Sequence, residues 1–197
     1  MSGRRLTLTP DGVLLAYSHG IFPMADERSG EVLWFRPDPR AVIPLDGFHV
    51  SRSLARPIRR GAFEIRVDTD FDGVMRGCAE RAEGTWISER FVKVYGALHR
   101  AGAAHSVEAW RDGRLVGGTY GLALGGAFMA ESMFHRERGA SKVALAALVH
   151  RLRERGFILL DVQYLTPHLE SLGAVEISRQ EYERRLERAL ALPCILA

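Results

Sequence analysis

Cysteine, lysine and long apolar runs are all scarce in this sequence of 197 residues. Cys78 and Cys194 are the only cysteines, and their spacing fits neither a disulfide framework nor a zinc knuckle. No apolar run approaches the roughly 18 residues of a membrane span, and residues 1–10 lack the apolar core of a signal peptide. We therefore expect a cytoplasmic protein that makes no membrane contact.

Arginine carries almost all of the positive charge, because Lys93 and Lys142 are the only lysines, and the formal net charge is +3. Arginine suits bidentate contacts to phosphate, yet solvated arginine faces are also common on ordinary enzymes. The charge therefore permits a nucleic-acid partner without requiring one. The seven histidines show neither metal-ligand spacing nor a serine or cysteine partner, so we predict no metal and no covalent nucleophile.

The length and the hydrophobic content of 47% suffice for one substantial core with a small appended lobe. A short helix is predicted over residues 11–20, followed by a turn at 21–23. Residues 32–35 predict a strand that ends before two prolines. We assign residues 1–47 to a small N-terminal lobe and residues 48–197 to the main domain.

The sequence pattern of the main domain predicts an α+β fold with a mixed, mainly antiparallel sheet flanked by helices. Turn signals at residues 112–113 and 125–126 predict three consecutive antiparallel strands between residues 106 and 133. An amphipathic helix at 141–155 separates them from a buried strand at 157–162, which implies a parallel pairing. Further helices are predicted over 51–60, 71–80, 89–101 and 179–190, the last as a charged surface element.

The loop before the helix at 141–155 contains Arg136 and Arg138, and Lys142 lies in the first helical turn. Free N–H groups at the helix start suit a phosphate; the alternative is an ordinary capped helix with solvated arginines. Antiparallel strands followed by such a loop, a helix and a strand are also the plan of the GNAT acyltransferases. That likeness concerns the fold alone.

Two polar residues stand on the strand that follows this helix. Asp161 and Gln163 share one face by alternation, and Val162 lies on the other. Because an unpaired buried aspartate is costly, this placement favours a cleft at the carboxyl end of the strand. The alternative is that both polar side chains face water.

Glu131 lies in an otherwise apolar strand and, by alternation, shares a face with Met129 and Met133. Such a carboxylate can recognise an amino group, or it can pair in the core with one of the arginines. Trp86 lies in a loop or at a strand edge, where it can stack on a base or simply pack.

Ten short motifs, in order and with similar spacing, resemble the leucyl/phenylalanyl-tRNA-protein transferase family, and the likeness covers about residues 10–183. Those in the first half are G-I-F-P at 20–23, W-F-R-P-D-P-R at 34–40, H-V-S-R-S at 49–53, G-T-W-I at 84–87 and H-S-V-E-A-W at 105–110. Those in the second half are L-V-G-G at 115–118, E-S-M-F at 131–134, A-S-K at 140–142, D-V-Q at 161–163 and S-L-G-A at 171–174.

The resemblance implies a small N-terminal lobe joined to a GNAT-like acyltransferase domain, with aminoacyl-tRNA in place of acyl-CoA and no cofactor. Asp161 and Gln163 would orient and activate the α-amine of the acceptor. Glu131 would help to hold the amino-acid end of the donor, beside Ser132 of the same motif. Trp86 would stack near the terminal adenosine.

The resemblance also implies a mostly apolar pocket for the leucyl or phenylalanyl side chain, made by Thr119, Phe128, Leu148 and Leu160. Methionine and phenylalanine are familiar in the family at the positions of Thr119 and Leu148, so the preference among Leu, Phe and Met stays open. Met24 stands where a tryptophan is familiar, and it would pack on the adenosine.

The partners implied are aminoacyl-tRNA carrying Leu or Phe and the N-termini of acceptor proteins, usually those beginning with Arg or Lys, which the transfer marks for N-degron degradation. The candidates for contacts with tRNA phosphates are Arg52, Arg56, Arg136, Arg138 and Lys142. Two alternatives remain open: an N-acetyltransferase that uses acetyl-CoA, and a non-catalytic module that binds charged tRNA or peptide termini.

Overall fold

The computed structural model describes residues 6–26, 28–81 and 84–197. A helix and a two-stranded antiparallel sheet form the N-terminal region: α1 (Pro10–Ser18), β1 (Phe22–Ala25) and β2 (Val32–Phe35). Helix α1 begins after Thr9, whose side chain accepts a hydrogen bond from the N–H of Gly12. The predicted turn at residues 21–23 is instead the start of β1, where Pro23 pairs with Trp34 in a strand that has only one neighbour.

Seven strands form the main sheet, in the order β4-β5-β6-β7-β8-β3-β9. Their bounds are β3 Arg40–Val42, β4 Glu64–Val67, β5 Ala104–Arg111, β6 Arg114–Leu124, β7 Ala127–His135, β8 Leu159–Gln163 and β9 Val175–Ile177. Neighbouring strands are antiparallel except β7 and β8, which are parallel. The predicted α+β fold with a mixed, mainly antiparallel sheet is confirmed, and so are the three consecutive antiparallel strands.

Helices cover both faces of the main sheet. They are α2 (Arg52–Arg59), α3 (Phe71–Ala79), α4 (Glu89–Arg100), α5 (Ala140–Glu154), α6 (Pro167–Glu170) and α7 (Arg179–Leu190). One apolar core joins the sheet to α1, α3, α4 and α7, and we call this side the α4 face. A second core joins the opposite side to α2 and α5, and we call it the α5 face.

One strand of the main sheet and one helix packed against the sheet differ from the sequence prediction. Strand β3, within residues assigned to the small lobe, pairs with β8 and β9 in the main sheet, while the boundary at residue 47 stays a prediction. Helix α7 was predicted as a charged surface element; most of its residues are at least partly exposed, but Tyr182, Leu186 and Ala189 are buried, and the prediction did not include this stripe. These residues repeat at a helical spacing, so one stripe of an otherwise charged helix enters the core.

Candidate active site

Strands β7 and β8 separate after a short parallel pairing. They pair at Ala127 with Leu159, Phe128 with Leu160 and Met129 with Asp161, and β7 then continues to His135. Beyond these pairs the two strands no longer lie side by side, which leaves a wedge between them. Glu131 and Ser132 of β7 and Asp161 and Gln163 of β8 lie where the wedge opens, and the sheet therefore gathers four sequence-predicted site residues.

Asp161 is fully buried, and it is paired with Arg40 of the neighbouring strand β3. Arg40 donates from Nε to Oδ1 at 2.9 Å and from Nη2 to Oδ2 at 2.6 Å, a bidentate salt bridge. Burial disfavours the charge of Arg40, but the carboxylate outweighs that effect and raises the pKa of the guanidinium. The structure thus excludes the alternative in which Asp161 faces water.

Two further donors reach the same carboxylate. The hydroxyl of Tyr182 donates to Oδ2 at 2.8 Å, and the backbone N–H of Gln163 donates to Oδ1 at 3.0 Å. Burial, followed by the negative charge of Asp161, raises the pKa of Tyr182 well above its ordinary value, so the hydroxyl remains a donor. Asp161 therefore accepts hydrogen bonds from three different residues.

Gln163 occupies an unusual backbone conformation for a residue other than glycine, with φ at 58°. Its side-chain Nε2 is buried and has no hydrogen-bond partner in the described part of the chain. A buried amide donor without a partner is costly, and such groups are concentrated where a ligand supplies the missing acceptor. Gln163 thus presents an unpaired donor at the end of β8, beside the wedge.

Glu131 owes its orientation to a β-bulge. Tyr120 pairs with Ser132 and Gly121 with Ala130, so that Glu131 is the extra residue of β7. The bulge reverses the alternation: Met129 packs in the core of the α4 face, but Met133 packs against that of the α5 face. The prediction that Glu131 shares one face with both methionines is therefore wrong for Met133.

Tyrosine side chains surround the carboxyl of Glu131. Tyr17 of α1 donates to Oε1, and the hydroxyl of Tyr95 of α4 is buried nearby without a hydrogen-bond partner among the described residues. Burial raises the pKa of Glu131 to about 8, although the hydroxyl of Tyr17 acts in the opposite direction. Within the described ranges no arginine forms an ion pair with Glu131, which disfavours the salt-bridge alternative.

Trp86 and Met24 are half-buried residues that pack against the core of the α4 face. Trp86 lies in a loop, as expected, and meets Phe91 edge-on at 5.2 Å between ring centroids. Ser132 accepts a hydrogen bond from Nη2 of Arg81 at 2.8 Å. These residues therefore lie on the same face as Tyr17 and Tyr95, but Trp86 has packing partners of its own.

The four residues expected to line the amino-acid pocket are all buried. Thr119, Phe128, Leu148 and Leu160 each have at most 1% of their surface exposed. Phe128, Leu148 and Leu160 belong to the core of the α5 face, and Thr119 donates from Oγ1 to the carbonyl of Ser132 at 3.0 Å. These four residues lie on the opposite face of the sheet from Tyr17 and Tyr95. The wedge between β7 and β8 is the gap in the sheet next to them.

Basic side chains cluster at the start of α5. Lys142 and His135 lie close enough to His168 to add to the effect of burial in lowering its pKa. The residue before α5 is Gly139, at a φ of 88°, and no side chain caps the helix. Arg138 is exposed beside it, whereas Arg136 is already bound to Glu80 at 2.9 Å and to the carbonyl of Leu115.

Helix α2 is a second basic surface. Arg52 and Arg56 are exposed on it, and its first turn contains no acidic residue. Ser51 caps the helix, and Leu54 anchors it to the core of the α5 face. Both arginines therefore project their charge into solvent.

The sequence interpretation missed Arg40, Tyr182, Tyr17 and Tyr95, which surround the two carboxylates. Arg40 ends the motif at 34–40, and this position was a usable signal. Tyr182 follows from the apolar stripe of α7. No cluster of three or more metal-binding side chains occurs in the described chain, and no helix there is long and apolar enough to cross a membrane.

Comparisons with known proteins match nearly the whole chain to one family. A family model described as "Leucyl/phenylalanyl-tRNA protein transferase" matches residues 42–187, and one described as its N-terminal domain matches residues 7–38. Proteins named leucyl/phenylalanyl-tRNA–protein transferase are similar over most of both chains. The relative from Ruegeria pomeroyi is 57% identical and covers 94% of this chain and 88% of its own. The relative from Chlorobaculum parvum is 58% identical, with 92% and 95% covered.

A solved structure, the ribosomal-protein-alanine N-acetyltransferase from Brucella melitensis biovar Abortus 2308, aligns at a TM-score of 0.39 with 17% identity. The alignment covers 62% of this chain and 89% of that protein. The two family models together span nearly the whole chain, and the relatives share more than half of their residues with it. The chain belongs to the leucyl/phenylalanyl-tRNA–protein transferase family.

Proposed function

We propose that this protein transfers a leucyl or phenylalanyl group from charged tRNA to the N-terminal α-amine of an acceptor protein, and that the wedge between β7 and β8 is where the two substrates meet. One observation carries the location: Glu131 and the Asp161–Gln163 pair approach the wedge from its two strands. The family supplies the class of reaction.

The donor would bind across the wedge. Its apolar side chain would pass between the strands toward the cluster that contains Phe128 and Leu160, with Thr119 and Leu148 beside them. Its amino group would meet Glu131, where a cation offsets the cost of ionising a half-buried carboxyl whose pKa is raised by desolvation. Methylene-sized differences in apolar pockets discriminate by only about 1–3 kcal/mol, so we expect Met to be accepted as a third donor.

The tRNA end would be held outside the wedge. The terminal adenosine would stack on Trp86 and pack on Met24, with Ser132 nearby. Phosphates would meet Arg138, Lys142 and the uncapped start of α5, while Arg52 and Arg56 would contact the acceptor stem. Arg136 is a weaker candidate, because Glu80 already neutralises it.

The chemical step is aminolysis of an ester. The unprotonated α-amine attacks the carbonyl carbon, a C–N bond forms, and the ester C–O bond to the ribose breaks. One amine proton leaves for the ribose oxygen, which becomes a hydroxyl, so the reaction is balanced without a cofactor or metal. Gln163 would orient the amine or the carbonyl through its unpaired amide, and positioning is the main contribution of the protein.

We further propose that acceptors begin with Arg or Lys, so that the product is marked for N-degron degradation in the cytoplasm. The family resemblance supports this specificity. The decisive assay measures transfer of radiolabelled leucine from charged tRNA to peptides that begin with Arg, Lys, Asp or Ala. Asp161→Ala and Glu131→Gln test the site, and Arg184→Ala, a surface arginine of α7 paired with Glu181, is the control.

We expect transfer to the Arg and Lys peptides, loss in both site variants and retention in the control. Equal labelling of the Asp and Ala peptides would contradict the acceptor specificity. If Asp161→Ala still transfers leucine, the active site does not lie in the wedge. If no peptide is labelled, acetyl-CoA is the next donor to test, and binding of charged tRNA without transfer would indicate a non-catalytic module.

A further inference from the structure

Asp161 accepts four hydrogen bonds, which together occupy both of its oxygens. Oδ1 accepts from Nε of Arg40 and from the N–H of Gln163, and Oδ2 accepts from Nη2 of Arg40 and from the hydroxyl of Tyr182. All four donors require an acceptor. A proton on either oxygen would displace one of these donors inside the protein, where an unpaired donor is costly.

We propose that Arg40 and Tyr182 are positioning residues that hold Asp161 as a fixed carboxylate, and that Asp161 in turn holds Gln163 in place without taking a proton during the reaction. The inference rests on the proposed function, because it assigns roles within the same site. It separates the two members of the D-V-Q motif: Gln163 faces the substrates, and Asp161 supports it.

The guanidinium of Arg40 is itself fixed by contacts on several sides, as its positioning role requires. Its guanidinium carbon lies 4.8 Å from the ring centroid of Phe22 and 4.6 Å from that of Tyr182. Its Nη1 donates to the carbonyl of Gly20 at 3.0 Å. The guanidinium therefore connects the N-terminal region, the main sheet and the last helix at one point.

The position of Asp161 fixes the backbone of Gln163 through a hydrogen bond. The bond from the N–H of Gln163 to Oδ1 of Asp161 stabilises a left-handed conformation that residues other than glycine rarely adopt. That conformation places the side chain so that its Nε2 is buried and unpaired. If Asp161 shifts, the amide of Gln163 shifts with it, and the reacting groups lose their alignment.

Two conservative variants test the proposal. Tyr182→Phe removes the hydroxyl and keeps the ring against Arg40, and Arg40→Lys keeps the charge but loses the bidentate geometry. We expect kcat to fall by about 10- to 100-fold in each, because small misplacements of reacting groups cost about that much. KM for charged tRNA and for the Arg peptide should stay within about twofold, since neither residue binds substrate.

Arg111→Lys is the matched control. Arg111 also stacks on an aromatic ring, that of Phe63 at 4.4 Å, and also pairs with a carboxylate, that of Glu137. It lies at the end of β5, beside the turn into β6 and two strands away from β7 in the sheet. Its replacement should leave kcat unchanged, which would show that losing a stacked, paired arginine does not by itself impair transfer.

The acid limb of the pH–rate profile distinguishes positioning from proton acceptance. If Asp161 took the proton, loss of the Tyr182 hydrogen bond would change the environment of the proton acceptor and move the limb to higher pH. We expect the limb of Tyr182→Phe to stay where it is in the wild type while kcat falls. A limb that moves upward would overturn the proposal.

The outcomes are separable from those of the proposed function. If Asp161→Ala is inactive but Tyr182→Phe and Arg40→Lys transfer like the wild type, the site stands and the positioning roles are wrong. If Asp161→Ala is active, the site and the positioning roles fail together. Should Arg40→Lys not fold, Tyr182→Phe decides alone, because it removes one oxygen atom from a helix that keeps its packing.

Discussion

Tyr17 donates its hydroxyl to Oε1 of Glu131 across 114 residues of sequence. The donor lies on the first helix and the acceptor in the bulge of β7, so the N-terminal region completes the surroundings of a carboxyl that belongs to the main sheet. Burial and the charge of Glu131 raise the pKa of Tyr17 well above its ordinary value, which keeps the hydroxyl a donor. The hydroxyl of Tyr17 thereby supplies a hydrogen bond to the carboxyl of Glu131 within the fold.

Glu131 should make the folded protein less stable as the pH rises. The pKa of its carboxyl is about 8 in the folded chain, against an ordinary value of 4.5. Between these values the unfolded chain ionises Glu131 while the folded chain retains the proton, so up to about 1.4 kcal/mol of stability is lost per pH unit. The contribution is fully present below the lower value and is lost as the pH rises through the higher one.

Glu131→Gln should remove this dependence, because glutamine does not titrate. Urea unfolding at several pH values between about 5 and 8 should show the wild type losing stability more steeply than the variant. The variant should gain about 1–2 kcal/mol relative to the wild type over this range, after allowance for an imperfect pocket. Parallel pH dependences of the two proteins would show that Glu131 ionises normally.

Arg40→Met should be severely destabilising, since it leaves the buried carboxylate of Asp161 without its counter-ion. The expected loss is about 3–5 kcal/mol in the free energy of unfolding. The double variant Arg40→Met, Asp161→Asn should recover much of that loss. Arg36→Met is the surface control: its ion pair with Glu183 is exposed and should contribute about 0–1 kcal/mol. Comparable losses for the two single variants would contradict the buried pair's importance.

The bulge at Glu131 depends on a glycine. A Cβ on Gly121 would lie 2.2 Å from the carbonyl oxygen of Met129 on the neighbouring strand, too close for any side chain. Gly121→Ala should therefore disturb the pairing of β6 with β7 and lower both stability and transfer. Gly96→Ala, within α4 and with only ordinary contacts, should instead be neutral or stabilising by up to about 1 kcal/mol. Thermal unfolding and the leucine-transfer assay measure both effects.

Trp86→Ala should weaken donor binding if the adenosine stacks on this ring. Loss of one base–aromatic stack costs about 1–3 kcal/mol, so KM for charged tRNA should rise by roughly 5- to 150-fold. Trp86→Phe keeps an aromatic face and should lose less. Because Trp86 also packs against Phe91, circular dichroism must show that both variants remain folded. An unchanged KM in a folded Trp86→Ala protein would leave packing as the only role.

Phosphate contacts should appear in the salt dependence of tRNA binding. Each lost contact lowers the slope of log K against log salt by about 0.7–0.9. Lys142→Ala and Arg56→Ala should each show such a change, because neither side chain forms a salt bridge with an acid in the described chain. Arg136→Ala should change the slope less, since Glu80 already binds it. Equal slopes for all three variants would contradict these assignments.

Local patterns were enough to predict the middle of the fold. Glycine-containing turns at residues 112–113 and 125–126 define the β5–β6–β7 meander, and the apolar periodicity of α5 gives the parallel pairing of β7 with β8. Strands β3 and β9 contain only three residues each, too few for a periodic signal. Their positions depend on pairing with distant parts of the chain, which no local pattern records.

The candidate site was predictable in its members but not in their relationships. The D-V-Q and E-S-M-F motifs identify Asp161, Gln163 and Glu131. Simple alternation along β7 fails at Glu131, because the bulge arises from the register with β6 and not from the composition of β7. The bond from Arg40 to Asp161 spans 121 residues, a distance over which sequence spacing gives no geometric information.

The position of β3 also bears on the order in which the fold can be completed during synthesis. β3 is made early, yet both of its neighbours in the sheet, β8 and β9, are among the last elements to be translated, and Tyr182 follows them. A nascent chain on the ribosome therefore carries Arg40 without Asp161 until the final part has emerged, and domains fold only once their distant segments are present. The ion pair between Arg40 and Asp161 can therefore form only after β8 has been translated, however early β3 emerges.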